Sequence, residues 1–485
     1  RYHKALAGWI IMLSTFLGLE IARRALFVNR SLIDITSHNI ANANTKGYSR
    51  QEGLIVTSPA VSLPSIGIIG TGSELRYIRR VRNEFLDIQY RDESRIKSYW
   101  DNLKSSLEEI EYILGEPTDN GLSLTISNFW NSWQELSTNP ESMAVRGSLK
   151  EQAQTLISFL SHLRGELVLQ RDQLEKDLEI QVNAINDIAL QIGALNEEIK
   201  RAYIRGQSPN DLLDRRDLLL DSLTELVNFD VSINEVGEAV INIRDHLLVG
   251  VNNTVYKMVV SDGRVLWEDG SDVHLKDEQG RLSSILYARD NIIGITDDRG
   301  YEYETGYIGV IDRLTAVIYE RVNELHRSGY GLDNSTGLDF FTLIDDTKGI
   351  TAENIKINDL ILQDLNKIAS ASIPDAPGDG SNALKIARIK DEFLIDGSFT
   401  VEDYWRNQIS MLGIISQRAS LISDNQKVLV DAINNKREEV SGVSIDEEVI
   451  NMIRYQQAFS AASRILTTLD EMLSILIERT GVVGR

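Results

Sequence analysis

The feature that most constrains this chain lies near its far end. Met452, Phe459, Leu466 and Leu473 are seven residues apart, and Tyr455, Ala462, Leu469 and Leu476 follow each of them by three. An a/d pattern sustained over that length predicts a helix with one apolar seam, which needs a second helix to cover it. The opposite end of the chain offers one. Leu17, Ile21, Ala25, Val28, Leu32 and Ile35 recur at spacings of three and four, and Leu19, Ala22, Leu26, Ile33 and Ile40 form a second stripe beside them. Two stripes give this helix more apolar surface than one partner covers. The expectation is a terminal α-helical coiled-coil pair with everything else inserted between, and neighbouring subunits on the remaining surface.

The N-terminal pattern stops at Asn39-Ile-Ala-Asn-Ala-Asn-Thr-Lys-Gly-Tyr-Ser-Arg-Gln51. Asn39, Asn42 and Asn44 bring side chains that compete for backbone hydrogen bonds, and Gly47 tolerates a positive φ. A helix therefore ends here and an extended segment begins. Residues 52–80 are punctuated by Pro59, Pro64, Gly67, Gly70 and Gly72 and read as a connector with short extended pieces. Helices are predicted from Asn83 to Leu114, near Leu122 to Glu135, and from Ser142 to Ile204, with Phe129, Trp130 and Trp133 as core. After Asn228 the period changes, and strands are predicted at 231–233, 239–243, 247–249 and 255–260. Helical spacing returns from Ile308 to Leu325 and again from Val401 to about Val440, around a turn-rich stretch.

The order is roughly palindromic and implies a nested, mainly α chain with β-rich inserts. Residues 12–80 with 441–485 form the terminal helical assembly domain, and 81–228 with 305–330 and 399–440 an elongated helical-bundle domain, the rod. Residues 229–304 form a first β-rich insert and 331–398 a second, irregular one; both are expected as outer domains.

Composition removes several function classes. A formal charge of −22 argues against a nucleic-acid partner, because phosphate binding needs basic surface. With no cysteine there is no disulfide, thiolate metal site or thiol nucleophile. The apolar run from Ala5 to Leu13 is shorter than the roughly 20 residues of a membrane span. None of the six histidines has the spacing of an H-E-x-x-H site, and no nucleophile elbow or phosphate loop appears. No enzyme activity, cofactor or metal is expected. Asp211, Asp214 and Asp217, spaced by three, read as the acidic start of a helix making local ion pairs with Arg215 and Arg216.

The Asn39–Gln51 stretch resembles the N-terminal motif of the bacterial flagellar axial proteins, the rod, hook and hook-associated proteins. Its Tyr48-Ser-Arg-Gln51 ending is most similar to the hook-associated members, as are Ser441-Gly-Val-Ser-Ile-Asp-Glu-Glu448 and Tyr455-Gln-Gln-Ala-Phe459. The run from Asn323 through His326 to Phe340-Phe341 is similar as well. Lys46 stands where the family commonly has proline, which loosens the turn there. The resemblance implies a structural subunit that forms the junction between hook and filament, self-assembling into a ring of identical subunits through its terminal helices. It implies contacts with hook protein and hook-associated protein 3, and an export chaperone on the C-terminal helix. It also implies residence in the flagellum, reached by type III export without a cleaved signal. The start implied is near Met12, which makes residues 1–11 an upstream extension. On this reading Asn39, Ile40, Ala41, Asn42, Ala43, Asn44, Gly47, Tyr48, Ser49, Arg50 and Gln51 serve subunit packing. So do the seam residues Met452, Tyr455, Phe459, Ala462, Leu466, Leu469, Leu473 and Leu476. The alternatives are a hook or rod subunit, or a secreted coiled-coil adhesin that binds through its β inserts.

Overall fold

The computed structural model describes residues 2–63, 67–115, 121–275, 278–294 and 306–480, with side chains of the first helix from Phe16 onward. The side chains of residues 1–11 and of Leu476 lie outside the described set, as do residues 295–304 of the first insert and 481–485.

The first helix, α1 (Tyr2–Asn42), leads into an antiparallel pair, β1 (Gln51–Thr57) with β4 (Ser73–Arg80). The small hairpin of β2 (Val61–Leu63) and β3 (Gly67–Ile69) lies between them in sequence. Helix α2 (Glu84–Leu114) starts where the Asn83 side chain accepts the Phe85 N–H. It stops at Gly115, whose φ of 59° closes the last turn through an N–H bond to the Glu111 carbonyl. Helix α3 (Leu122–Thr138) follows, then α4 (Met143–Ile204), 62 residues long and capped by the Ser142 side chain. Such a helix spans about 90 Å at ~1.5 Å per residue. Helix α5 (Asn210–Leu226) completes this part.

The first insert holds a three-stranded antiparallel sheet of β5 (Asp230–Ile233), β6 (Ala239–Ile243) and β7 (His246–Val249). A separate hairpin pairs β8 (Met258–Ser261) with β9 (Arg264–Trp267). Helix α6 (Arg281–Tyr287) then runs into a π-helical turn, Ala288–Ile293. These residues were expected to be the end of the β insert. The preceding strands obscured their pattern: Leu282, Ile285, Ala288 and Ile292 recur at three and four and are buried. Helix α7 (Gly306–Ser328) is followed by the pair β10 (Phe341–Leu343) and β11 (Ile355–Ile357), and by the short α8 (Asp359–Gln363) and α9 (Ser381–Ala387). Helix α10 (Val401–Ser441), capped by Thr400, and α11 (Ile445–Thr480) end the described chain.

One contiguous core unites the helical body. Leu107, Ile110, Phe129, Trp130, Trp133, Leu178, Ile185, Ile308, Ile311 and Trp405 are all buried in it. The same core runs on into both inserts, through Ile241, Met258 and Trp267 on one side and Phe340, Phe341 and Ile355 on the other. Two asparagines of α4 fasten the first insert. The Asn186 amide donates to the Met258 carbonyl at 2.8 Å and accepts its N–H at 2.9 Å. Asn196 does the same for Ala239, at 2.8 and 2.9 Å. Each buried amide stands in for a neighbouring strand, so the backbone groups of β6 and β8 are satisfied inside the protein.

The ends of the chain are built differently. Helices α1 and α11 pack antiparallel, with Gly18 beside Leu469 and Asn39 beside Glu448. Their cluster is small: Val28, Leu32 and Ile35 are buried against Leu75, Ile78 and Tyr455.

Candidate functional site

The two stretches that frame the chain, Asn39–Gln51 and Ser441–Glu448, meet. Asn39 is buried in the last turn of α1, with its amide at the centre of the contact. Its Nδ2 donates to the Gln51 carbonyl at 2.9 Å and to Glu448 Oε2 at 3.1 Å. Its Oδ1 accepts the Gln51 N–H at 3.0 Å and the Tyr48 hydroxyl at 2.7 Å. One side chain thus ties the end of α1 to the start of β1 and to the first turn of α11. Burial, followed by the charges of Asp211, Asp214 and Glu448, raises the Tyr48 pKa, so the phenol stays protonated and donates. Arg50 adds a backbone bond, its N–H donating to the Ser441 carbonyl at 2.8 Å, and an ion pair to Glu447 at 3.5 Å.

The turn itself depends on Gly47. Its φ of 81° is left-handed, and a Cβ there would lie 3.2 Å from Leu218 Cβ of α5. From Ser49 onward the motif is bound to α5. The Ser49 N–H and Oγ donate to the two Asp214 oxygens at 2.9 and 2.8 Å, and Gln51 Nε2 donates to Asp211 at 2.7 Å. Asn42 and Ile40 are half-buried, with the Asn42 amide donating to the His38 carbonyl at 3.0 Å, and Ala43 is also half-buried. Ala41 and Asn44 are exposed. The motif is therefore two surfaces: an inner set of Asn39, Tyr48, Ser49, Arg50 and Gln51 that holds the fold together, and an outer set presented to solvent.

Beneath this turn lies an ion-pair network. Asp214 and Asp217 of α5 are buried but do not pair with Arg215 and Arg216, which corrects the local reading. Arg80 at the end of β4 reaches Asp214 and Asp217, each at 2.8 Å. Arg82 reaches Asp217 at 3.1 Å and Asp87 at 2.6 Å, and Arg91 reaches Asp221 at 2.7 Å. Arg437 of α10 bridges Asp87 at 2.9 Å and Asp221 at 2.8 Å, with its guanidinium 4.2 Å from the Tyr90 ring centre. Burial alone would raise the Asp217 pKa, but Arg82, Arg80 and Arg91 outweigh it and hold the carboxyl below its usual range. Arg216 turns the other way and donates to the Gly237 carbonyl in the first insert at 2.6 Å. None of Arg80, Arg82, Arg91, Asp87, Asp221 or Arg437 was singled out from sequence. The basic run from Arg76 to Arg82 against four acids spaced by three and four, from Asp211 to Asp221, was the available signal.

A second knot explains the Asn323–Phe341 run. Asn323 donates to the Phe341 carbonyl and accepts both the Phe340 and Phe341 N–H groups, each at 2.9 Å. His326 is fully enclosed: Nδ1 faces the Leu338 carbonyl at 2.7 Å and Nε2 accepts the Ala369 N–H at 3.0 Å. Those partners require the neutral Nδ1–H form, and burial lowers its pKa to about 4.

On α11, Ala462 is buried, and Met452, Tyr455, Phe459, Leu466, Leu469 and Leu473 are half-buried on the side turned toward α1. Outside that contact α11 still exposes Val449, Ile453, Ile465, Met472 and Ile475, and α1 exposes Phe16 and Phe27. The site's carboxylates are taken by guanidinium and amide groups, and no group of three or more metal-ligating side chains occurs among the described residues. It is a fastening.

Residues 107–341 match the family described as "Flagellar hook-associated protein FlgK helical domain". Residues 19–48 match "Flagella basal body rod protein" and 435–479 "Flagellar basal body rod FlgEFG protein C-terminal". The flagellar hook-associated protein 1 of Bacillus subtilis (strain 168) is 32% identical over 510 residues, covering 98% of this chain and 100% of its own length. The chain belongs to the flagellar hook-associated protein 1 family. The hook-associated protein 1 of Escherichia coli (strain K12) is 22% identical over 95% of this chain and 98% of its own length. A solved structure titled as the flagellar hook junction protein FlgK from Burkholderia pseudomallei shares the fold. Its TM-score is 0.62 at 14% identity, covering 73% of this chain and all of that one. As a member of the hook-associated protein 1 family, the chain is a structural component of the bacterial flagellum. No helix among the described residues is long and apolar enough to cross a membrane.

Proposed function

We propose that this protein is the structural subunit joining hook to filament, and that it enters the axial structure through α1 and α11. The observation that carries this is the ends of the chain: the two terminal motifs interlock through Asn39, while both helices leave apolar faces uncovered. Burial of those faces by neighbouring copies, at ~25 cal/mol per Å², offsets the repulsion between subunits of net charge −22. The partners are identical subunits in a ring, hook protein below and hook-associated protein 3 above. A chaperone on α11 would cover the exposed apolar residues before export. Export without a cleaved signal is part of the same reading. Residues 12–80 with 441–485 act as the assembly domain. Residues 81–228, 305–330 and 399–440 act as the rod, and 229–304 and 331–398 as outer inserts. The motif and seam residues named above are the packing elements.

Electron microscopy of cells lacking the protein tests this. The expected result is hooks without filaments and unpolymerised flagellin in the medium. Absence of hooks would place the subunit in rod or hook, and normal filaments would reject an axial role.

A further inference from the structure

Between the β8–β9 hairpin and the helical turns at 281–293 lies a cavity of about 700 Å³, far in sequence and contacts from the terminal motifs. That is within the roughly 300–1,000 Å³ range of small-molecule sites. Arg289 lines it. This residue is only 9% exposed, and its Nη1 is buried with no hydrogen-bond partner among the described residues. An unpaired guanidinium nitrogen out of water costs free energy unless an acceptor reaches it. Two of the nearby acids are already committed, and a third, Glu175 of α4, also faces this spot, its Oε1 3.4 Å from where a Cβ on Gly263 would lie. Asp290 accepts Arg289 Nε at 2.6 Å, and Asp272 accepts the His274 N–H at 2.6 Å and lies 3.4 Å from His274 Nδ1. Arg264, exposed on β9, adds a second positive charge, and Asn291 a further donor. The rest of the wall sets the apolar Val265, Leu275 and Leu286 beside the more polar Tyr99, His274, Ser283 and Tyr287. The tight turn at Gly263, φ 69°, leaves space over the nitrogen: a Cβ there would lie 3.3 Å from Arg289 Nη1.

We propose that this cavity binds a small organic anion, a carboxylate or phosphate head on an apolar body, with Arg289 as the anchor of the head. The ligand would bridge the β8–β9 hairpin and α6, bracing the first insert on the helical body. Isothermal titration of the full chain with benzoate, phenyl phosphate and inorganic phosphate tests it. The expected result is saturable binding of an aromatic anion, tighter than inorganic phosphate, with the preferred aromatic probe identifying the head. Arg289→Met should weaken that binding by roughly tenfold or more. Arg264→Met, at an exposed position that folding does not need, should weaken it severalfold, with circular dichroism confirming the fold of both variants. No saturable binding of either aromatic anion would overturn the proposal. So would equal affinity for inorganic phosphate, or undiminished affinity in both variants.

Discussion

The helical body and the terminal pair use the same kind of helix to opposite ends. In the body, Phe129, Trp130, Trp133 and the inward faces of α2, α4 and α7 share one core with both inserts. In the terminal pair the buried cluster is Val28, Leu32 and Ile35, and apolar residues stay exposed along both helices. The body helices expose single apolar side chains as well, among them Leu169 and Ile180 of α4 and Ile414, Leu421 and Val428 of α10, but they share a large buried core, which the terminal pair lacks. On the proposed reading the body is a folded unit and the terminal pair an interface, held in place by the Asn39 knot and the ion pairs beneath it.

The sharpest way to break this comparison is to spoil the pair alone. Phe459→Asp, on the side of α11 turned to α1, should abolish incorporation into flagella while the body keeps its unfolding midpoint; normal incorporation would reject the seam. Next in size is the fastening between the two regions. Asp217→Ala removes one buried carboxylate from among three guanidinium groups, leaving Arg80 with Asp214 alone and Arg82 with Asp87, and should cost about 3 kcal/mol by urea denaturation. A loss below about 1 kcal/mol would mean the network contributes little.

Acid should act first on the body. His326 has a pKa of about 4 in the folded chain against 6.5 as a free side chain, so the unfolded state takes up the proton first. Stability is therefore full above 6.5 and falls as the pH drops toward about 4, by on the order of 3 kcal/mol. His326→Gln should flatten a urea-midpoint profile over that window. The smallest effect belongs to the uncovered face of the pair. Ile465, 55% exposed, should change monomer stability by no more than about 0.5 kcal/mol on mutation to alanine, yet weaken assembly. Equal loss in both measurements would erase the distinction between the regions.

Much of this was legible in the chain because it rests on local rules. Asn83, Gly115, Ser142 and Thr400 mark helix ends through capping, and period alone separated α4 from the strands that follow it. The seam on α11 was visible because seven-residue spacing needs no knowledge of the partner. What stayed hidden was long-range pairing. Nothing within α5 reveals that Asp214 answers Arg80 and Ser49 rather than Arg215, because the ion pairs close over more than a hundred residues. Asn186 and Asn196 looked like ordinary polar positions on a long helix, and their role appears only when strands lie against them. The helix at 281–293 was missed because a short amphipathic turn after strands shows too few repeats to define a period.

The most direct test of the central claim is amide hydrogen exchange, comparing the free chain with the chain in isolated flagella. In the free chain, α2, α4 and α7 should exchange slowly and the outer turns of α1 and α11 quickly. On assembly, new protection should be confined to about residues 16–42 and 445–475. Terminal helices already as protected as the body when free, or new protection concentrated in the inserts, would contradict the account.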